Sequence, residues 1–219
     1  APAWPRPGRV RSRVPLPPGL VLHLPGPAST LPGAAAGRAG ATSAGFVITA
    51  GAAGQLVFSQ QPTTAAAGAA ITPAVVVTIE DASGNLVTSA TGSVTLALAA
   101  NPAGGTLAGT TTVAATAGVA TFANLSLDRA GTGYTLSAAS PGLAGATSAP
   151  FAISSSGATQ LAFKTQPQGA SAGAALAPQI QVAIEDSSGN VVTTSTDTVS
   201  LGNGTNPRGA TLSGKLSTA

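Results

Sequence analysis

The chain of 219 residues has no cysteine and no methionine, and only one histidine, one tryptophan and one tyrosine. Without cysteine there is no disulfide framework, no thiolate metal site and no thiol nucleophile. The single histidine, His23, lies in a proline-rich stretch, so the remainder lacks both the base of a Ser-His-Asp triad and an imidazole ligand. Charged residues make up 7 %, against a usual share of about 25 %. No apolar run approaches the ~18 residues that would span a bilayer, so no membrane span is expected. What is present is an apolar fraction of 43 %, enough to build a core, and a net charge of +3 that invites a search for an anionic partner.

The charge is not spread evenly. Arg6, Arg9, Arg11, Arg13 and Arg38 fall in the first 38 residues, where there is no acid. From residue 39 onward four basic residues face six acidic ones, a balance of −2. The basic segment is also foreign in composition. Nine of the 17 prolines occur by Pro32, and the first 40 residues contain no Asp, Glu, Lys, Asn, Gln, Ile, Phe or Tyr. Pro15, Pro17 and Pro18 exclude a helix, and Pro25 and Pro27 limit a strand. Residues 1–39 therefore read as an irregular Pro/Arg-rich leader. A basic nucleic-acid arm with Trp4 to stack, a degenerate secretion signal and a bland tail of doubtful origin all fit the leader. Its restricted alphabet favours the last, so no nucleic-acid partner is expected.

Self-comparison is more informative. Residues 40–114 align without a gap on residues 145–219 at an offset of 105, with about half the positions identical. Gln55-Leu56-Val57-Phe58 matches Gln160-Leu161-Ala162-Phe163. Ile79-Glu80-Asp81-Ala82-Ser83-Gly84-Asn85 matches Ile184-Glu185-Asp186-Ser187-Ser188-Gly189-Asn190, and Asn101-Pro102 matches Asn206-Pro207. A unit of this length is the size of one sandwich domain and too long for a helical or leucine-rich repeat. The organisation expected is a leader (1–39), the last strand of a preceding repeat with its linker (40–53), a complete repeat (54–154), and a partial repeat (158–219) lacking its last three strands.

Within the repeat the fold class reads as all-β. Val75, Val77 and Ile79 alternate with Val76, Thr78 and Glu80, and Tyr134, Leu136 and Ala138 alternate with Thr135 and Ser137, the period of half-buried strands. Turn signals separate the runs at Ser83-Gly84-Asn85, Asn101-Pro102-Ala103-Gly104-Gly105 and Pro141-Gly142. Seven strands result, near 55–60, 74–81, 93–99, 106–114, 118–127, 132–139 and 146–153, as expected for an immunoglobulin-like sandwich. Tyr134, opening the sixth strand after a glycine turn, is placed to bond an earlier backbone group. Gly68 and its surroundings argue against a helix over Ala65–Ala70.

The runs Leu-x-Phe-x-x-Gln-Pro (56–62), Ile-Glu-Asp-x-x-Gly-Asn (79–85), Gly-Val-Ala-Thr-Phe-x-Asn-Leu-Ser-Leu (118–127) and Ala-Gly-Thr-Gly-Tyr-Thr-Leu (130–136) resemble bacterial immunoglobulin-like tandem repeats. The resemblance covers about 40–219. It implies an extracellular or cell-surface location and a structural or adhesive role, with neighbouring repeats and a host or matrix ligand as partners. The rival readings are a carbohydrate- or protein-binding module and an accessory domain of a secreted enzyme.

No catalytic or cofactor-binding residue stands out, and no enzyme is expected within these residues. Glu80 and Asp81 are adjacent, so a strand points them to opposite faces. Asp81 is placed to cap the Ser83-Gly84-Asn85 turn. Glu80, Asp81, Glu185 and Asp186, with loop carbonyls, are the calcium candidates near a domain junction, but the ion wants ~6–8 oxygens, each repeat offers three carboxylates, and there is no Asp-x-Asp-x-Asp-Gly loop. Lys164 stands where an intramolecular Lys–Asn isopeptide bond would start, but its counterpart is Ser59, and the complete repeat has no lysine. The partial repeat is expected to have open sheet edges and an uncovered core face, open to strand exchange with another copy.

Overall fold

The computed structural model describes residues 26–34 and 36–218, and these contain strands and no helix. The described residues divide into two units, those up to Ala50 and those from Gly51 onward.

The second unit contains the complete repeat. Ala53–Gln60, Val75–Asp81 and Val119–Phe122 form a three-stranded antiparallel sheet with Val75–Asp81 in the middle. A second sheet runs Thr112–Ala114, Ser93–Ala100, Gly131–Ala139, Phe151–Ser154 and Ala65–Ala66, with Ala146–Thr147 also paired to Gly131–Ala139. Side chains from both sheets meet in one cluster that includes Leu56, Val77, Ile79, Leu96, Phe122, Tyr134 and Leu136. The alternation read in the sequence is the burial pattern observed: Val75, Val77 and Ile79 point inward, and the residues between them are half-buried. Each such inward side chain contributes about 1.5–3 kcal/mol of burial.

Several strands are shorter than their apolar runs, because the chain changes pairing partner part-way. The run 106–114 splits into Leu107–Ala108, paired with Ser126–Leu127, and Thr112–Ala114, paired with Ser93–Thr95. Gly109 sits at the break with φ of 100°, and a Cβ there would collide with the Asn124 carbonyl. Asn124 holds the kink by accepting from the Thr110 N–H at 2.9 Å and donating to its hydroxyl. The last run splits in the same way. Ala146–Thr147 and Phe151–Ser154 pair with different parts of Gly131–Ala139, and Ser148 bridges the break by accepting the Leu136 N–H on its hydroxyl. After Pro62, which has no N–H to continue a ladder, the chain crosses over. Ala65–Ala66 then pairs in parallel with Ile153–Ser154, where no helix forms.

The partial repeat reproduces the local pairings at the same offset. Gln160–Thr165 pairs with Gln181–Glu185 in the register of Gln55–Gln60 on Val76–Glu80, including the irregularity after the phenylalanine. Val199–Ser200 pairs with Ser217–Thr218 as Val94–Thr95 does with Thr112–Val113. Both remain two-stranded. Leu161 and Phe163 are 59 % and 47 % exposed, whereas their counterparts Leu56 and Phe58 are 3 % and 7 % exposed.

The first unit differs from the sequence expectation. Composition predicts an irregular leader over 26–39, yet Gly26–Ser29 pairs with Phe46–Ile48 and Pro32–Gly33 pairs with Ala41–Thr42. These pairings lie at an offset of 105 from Gly131–Ile153, Tyr134–Phe151, Ser137–Thr147 and Ala138–Ala146. Ser43 bonds Leu31 through both its N–H and its hydroxyl, as Ser148 bonds Leu136. The repeat therefore reaches back at least to Gly26. Its trace survives in the identities Gly26/Gly131, Thr30/Thr135, Leu31/Leu136, Ala34/Ala139, Gly37/Gly142 and Ala39/Ala144, which the proline count masks. Residues 1–25, with the arginine cluster and His23, lie outside the described residues.

Candidate functional site: the junction between repeats

The most connected polar group in the repeat is the aspartate that ends the Val75–Asp81 strand. Strand alternation places Asp81 on the face of Val77 and Ile79, and Glu80 on the other face, where it accepts from the Thr78 hydroxyl. The Asp81 carboxylate caps its own turn. One oxygen accepts the N–H groups of Ser83 and Asn85 at 2.9 Å, and the Asn85 side-chain amide donates to both oxygens. The second oxygen also reaches back to the Gly51 N–H at 2.8 Å, in the segment that enters the repeat. The Asn85 side chain and these N–H groups hold the carboxyl well below the usual carboxylate range. Gly84, with φ of 80°, supplies the left-handed residue the tight turn needs.

The same construction recurs at Asp186. It accepts from the N–H groups of Ser188 and Asn190 and from the Asn190 amide, and its second oxygen takes the Ser156 N–H of the linker at 2.9 Å. Burial works against its ionisation, yet the Asn190 side chain and the linker and turn N–H groups outweigh it and hold the carboxyl below its ordinary value. The Thr159 N–H donates to the Glu185 carbonyl, fastening the linker a second time.

At this second junction Asn190 also reaches the preceding repeat. Its amide donates to the Asp128 carbonyl of the complete repeat and its oxygen accepts the Ala130 N–H, at 2.9 and 3.0 Å. The 128–130 turn is itself held from two other sides. The Asp128 carboxylate accepts the Thr106 N–H, and the Tyr134 hydroxyl donates to the Arg129 carbonyl at 2.9 Å. That last bond is the one the position of Tyr134 anticipated. Burial pushes the Tyr134 phenol upward, with the nearby Asp128 charge adding to it and Arg129 opposing, so it stays a donor.

The four calcium candidates are spent on these tasks. Asp81 and Asp186 are each surrounded by N–H donors, a cradle that suits an anion and turns no free oxygen shell toward a cation. Glu185 pairs with Lys164, replacing the Thr78–Glu80 bond that Ala183 cannot make. No group of three or more His, Cys, Asp or Glu side chains able to hold a metal occurs among the described residues. An open cleft of about 600 Å³ beside the linker is lined by Ser155, Ser156, Val192, Ser195 and Asp197, among others. It offers one charge and no aromatic side chain. Asn190 and the 128–130 turn were not singled out in the sequence. The available signal was the recurrence of the asparagine in both copies of the turn, Asn85 and Asn190.

No family model matches the chain, and no curated protein matches it.

Proposed function

We propose that this chain is a stretch of immunoglobulin-like sandwich repeats from a large extracellular or surface-displayed bacterial protein, serving as a spacer or adhesive stalk. The observation that carries this reading is the reuse of one set of backbone pairings at a fixed offset of 105 residues, from Gly26–Ile48 through Gly131–Ile153 and from Gln55–Glu80 through Gln160–Glu185. Such fidelity serves an array, in which each unit repeats the last and function scales with number. The short linker, clamped at Ser156 by Asp186, limits the swing between neighbours. The function is mechanical, with no cofactor and no chemistry at the junction.

Two measurements test this. Antibody labelling of intact cells that express the full gene should detect these repeats; a signal seen only after permeabilisation overturns the surface role. Pulling the chain by its ends should give a dominant unfolding step of roughly 350 Å for the complete repeat, since ~3.5 Å is released per residue. A robust hit for the chain on a glycan array would instead favour the binding-module reading.

A further inference from the structure

We propose that the Asp-x-x-Gly-Asn turn is an orientation latch between consecutive repeats: the aspartate seizes the linker and the asparagine hooks the 128–130 turn of the repeat before it. This deepens the spacer reading and rests on it, because a latch matters only in an array.

The contacts have three properties that a chance contact would not combine. All of them end on main chain: the Ser156 N–H, the Asp128 carbonyl and the Ala130 N–H. Recognition by backbone alone is indifferent to side-chain drift, as repeats that are only half identical require. The receptor is rigid before it is hooked, since the Thr106–Asp128 and Arg129–Tyr134 bonds lie wholly within the preceding repeat. The hook is rigid as well. Asp186 accepts both from the Asn190 N–H and from its side-chain amide, which fixes the side chain at its base and leaves its oxygen and one amide hydrogen to point outward. With the latch made, Asn190 is 7 % exposed and Asp186 0 %.

Asn85 repeats the construction of the hook, and the positions 105 residues before Asp128 and Ala130, His23 and Pro25, lie outside the described residues. Its amide donates to both Asp81 oxygens as Asn190 does to Asp186. Among the described residues its side-chain oxygen accepts nothing, and the side chain is only half-buried. The residue at the position of Ala130 must carry an N–H, because proline there cannot be hooked by the asparagine oxygen.

The paired positions provide their own control in the full chain. Asn190→Ala removes the latch and part of the turn support at this junction; Asn85→Ala removes turn support from a turn that does not touch Asp128 or Ala130. Amide exchange read at Ala130, with proteolysis at the 154–157 linker, separates the two. Asn190→Ala should speed exchange of the Ala130 amide and cleavage of the linker by about five- to tenfold, the scale of one lost hydrogen bond. Asn85→Ala should leave both within about twofold, the scale of an ordinary surface change. Ala130→Pro attacks the latch from the other side without touching the Asp186 turn, and it decides the matter if Asn190→Ala unfolds the partial repeat. It should reproduce the faster linker cleavage. Equal effects of Asn190→Ala and Asn85→Ala, or unchanged linker cleavage in Ala130→Pro, would overturn the latch. These readouts are made on purified protein, so their failure leaves the surface-labelling test of the spacer role untouched.

Discussion

The complete repeat and the partial repeat share half their sequence and the same strand register, yet they differ in what those strands achieve. Leu56 and Phe58 are buried in a core; Leu161 and Phe163, at the same positions of the same hairpin, face outward. The hairpins themselves are nearly superposable in pairing. Local sequence thus suffices for register and turn, while burial depends on strands 40 to 90 residues away, of which Val119–Phe122 and Gly131–Ala139 are the counterparts missing from the partial repeat. The energetic consequence is direct: a side chain stabilises by the water it sheds, and an identical side chain on an uncovered sheet sheds little.

The largest test of this contrast is Phe58→Ala against Phe163→Ala. Phe58→Ala should cost about 3–5 kcal/mol, read by urea unfolding with Tyr134 as the local fluorophore. Phe163→Ala, read by amide exchange across Gln160–Thr165, should cost well under about 1 kcal/mol. Equal costs would mean that the partial repeat has its face covered in solution. Next comes Gly109→Ala against Gly214→Ala. Both glycines have positive φ, 100° and 112°, so both substitutions carry backbone strain of about 1–2 kcal/mol. Only at Gly109 would the new Cβ also strike the Asn124 backbone, whereas at Gly214 it meets nothing within 4 Å. The Gly109 variant should therefore be the less stable by at least about 1 kcal/mol in matched thermal melts.

Smaller effects probe the polar framework. Tyr134→Phe strips the Arg129 carbonyl of its donor and should cost about 1–2 kcal/mol; it should also loosen the turn that Asn190 grips, visible as faster exchange at Ala130. Acid should act on both copies. The Asp81 and Asp186 carboxyls are held below their ordinary range in the fold, while an unfolded aspartate titrates near ~3.9. Their stabilisation is complete above about pH 5 and drains away as the pH falls through about 4 and below. Melting temperature should accordingly be flat from about pH 5 to 7 and drop below about 4, with Asp81→Asn flattening the acid limb. A melting temperature that rises on acidification would contradict this. Smallest of all, millimolar calcium should leave the melting temperature unchanged. A clear increase would mean that the carboxylates exchange their N–H donors for an ion.

Much of the architecture was legible from the residues because it depends on nearest neighbours. The period-two alternation of Val75, Val77 and Ile79 specifies a strand with one buried face, and Asp81 and Gly84 specify the turn that follows. The offset of 105 specifies how often the unit recurs. The first repeat's reach was misread for a physical reason. Pro25, Pro27 and Pro32 lower strand propensity, but Gly26–Ser29 and Pro32–Gly33 are held by partners at 41–48, and pairing outweighs propensity when the partner is present. The strand breaks at Gly109 and Ser148 were invisible for a related reason: an apolar run shows only that a segment is buried, and which sheet takes each half depends on distant neighbours.

Composition by itself determined that the chain has no thiol, and that residues 39–219 are almost without ionisable chemistry. It also determined that one β unit is written more than once, since absence and recurrence need no coordinates. Tertiary structure alone decided that Asn190 meets the preceding segment. Asn85 and Asn190 occupy the same motif and make the same bonds to their aspartates. The folding of Asp128 and Ala130 beside Asn190 makes that asparagine a joint, because a hydrogen bond needs its donor and acceptor within about 3 Å, and residues 60 positions apart reach that distance only through the fold.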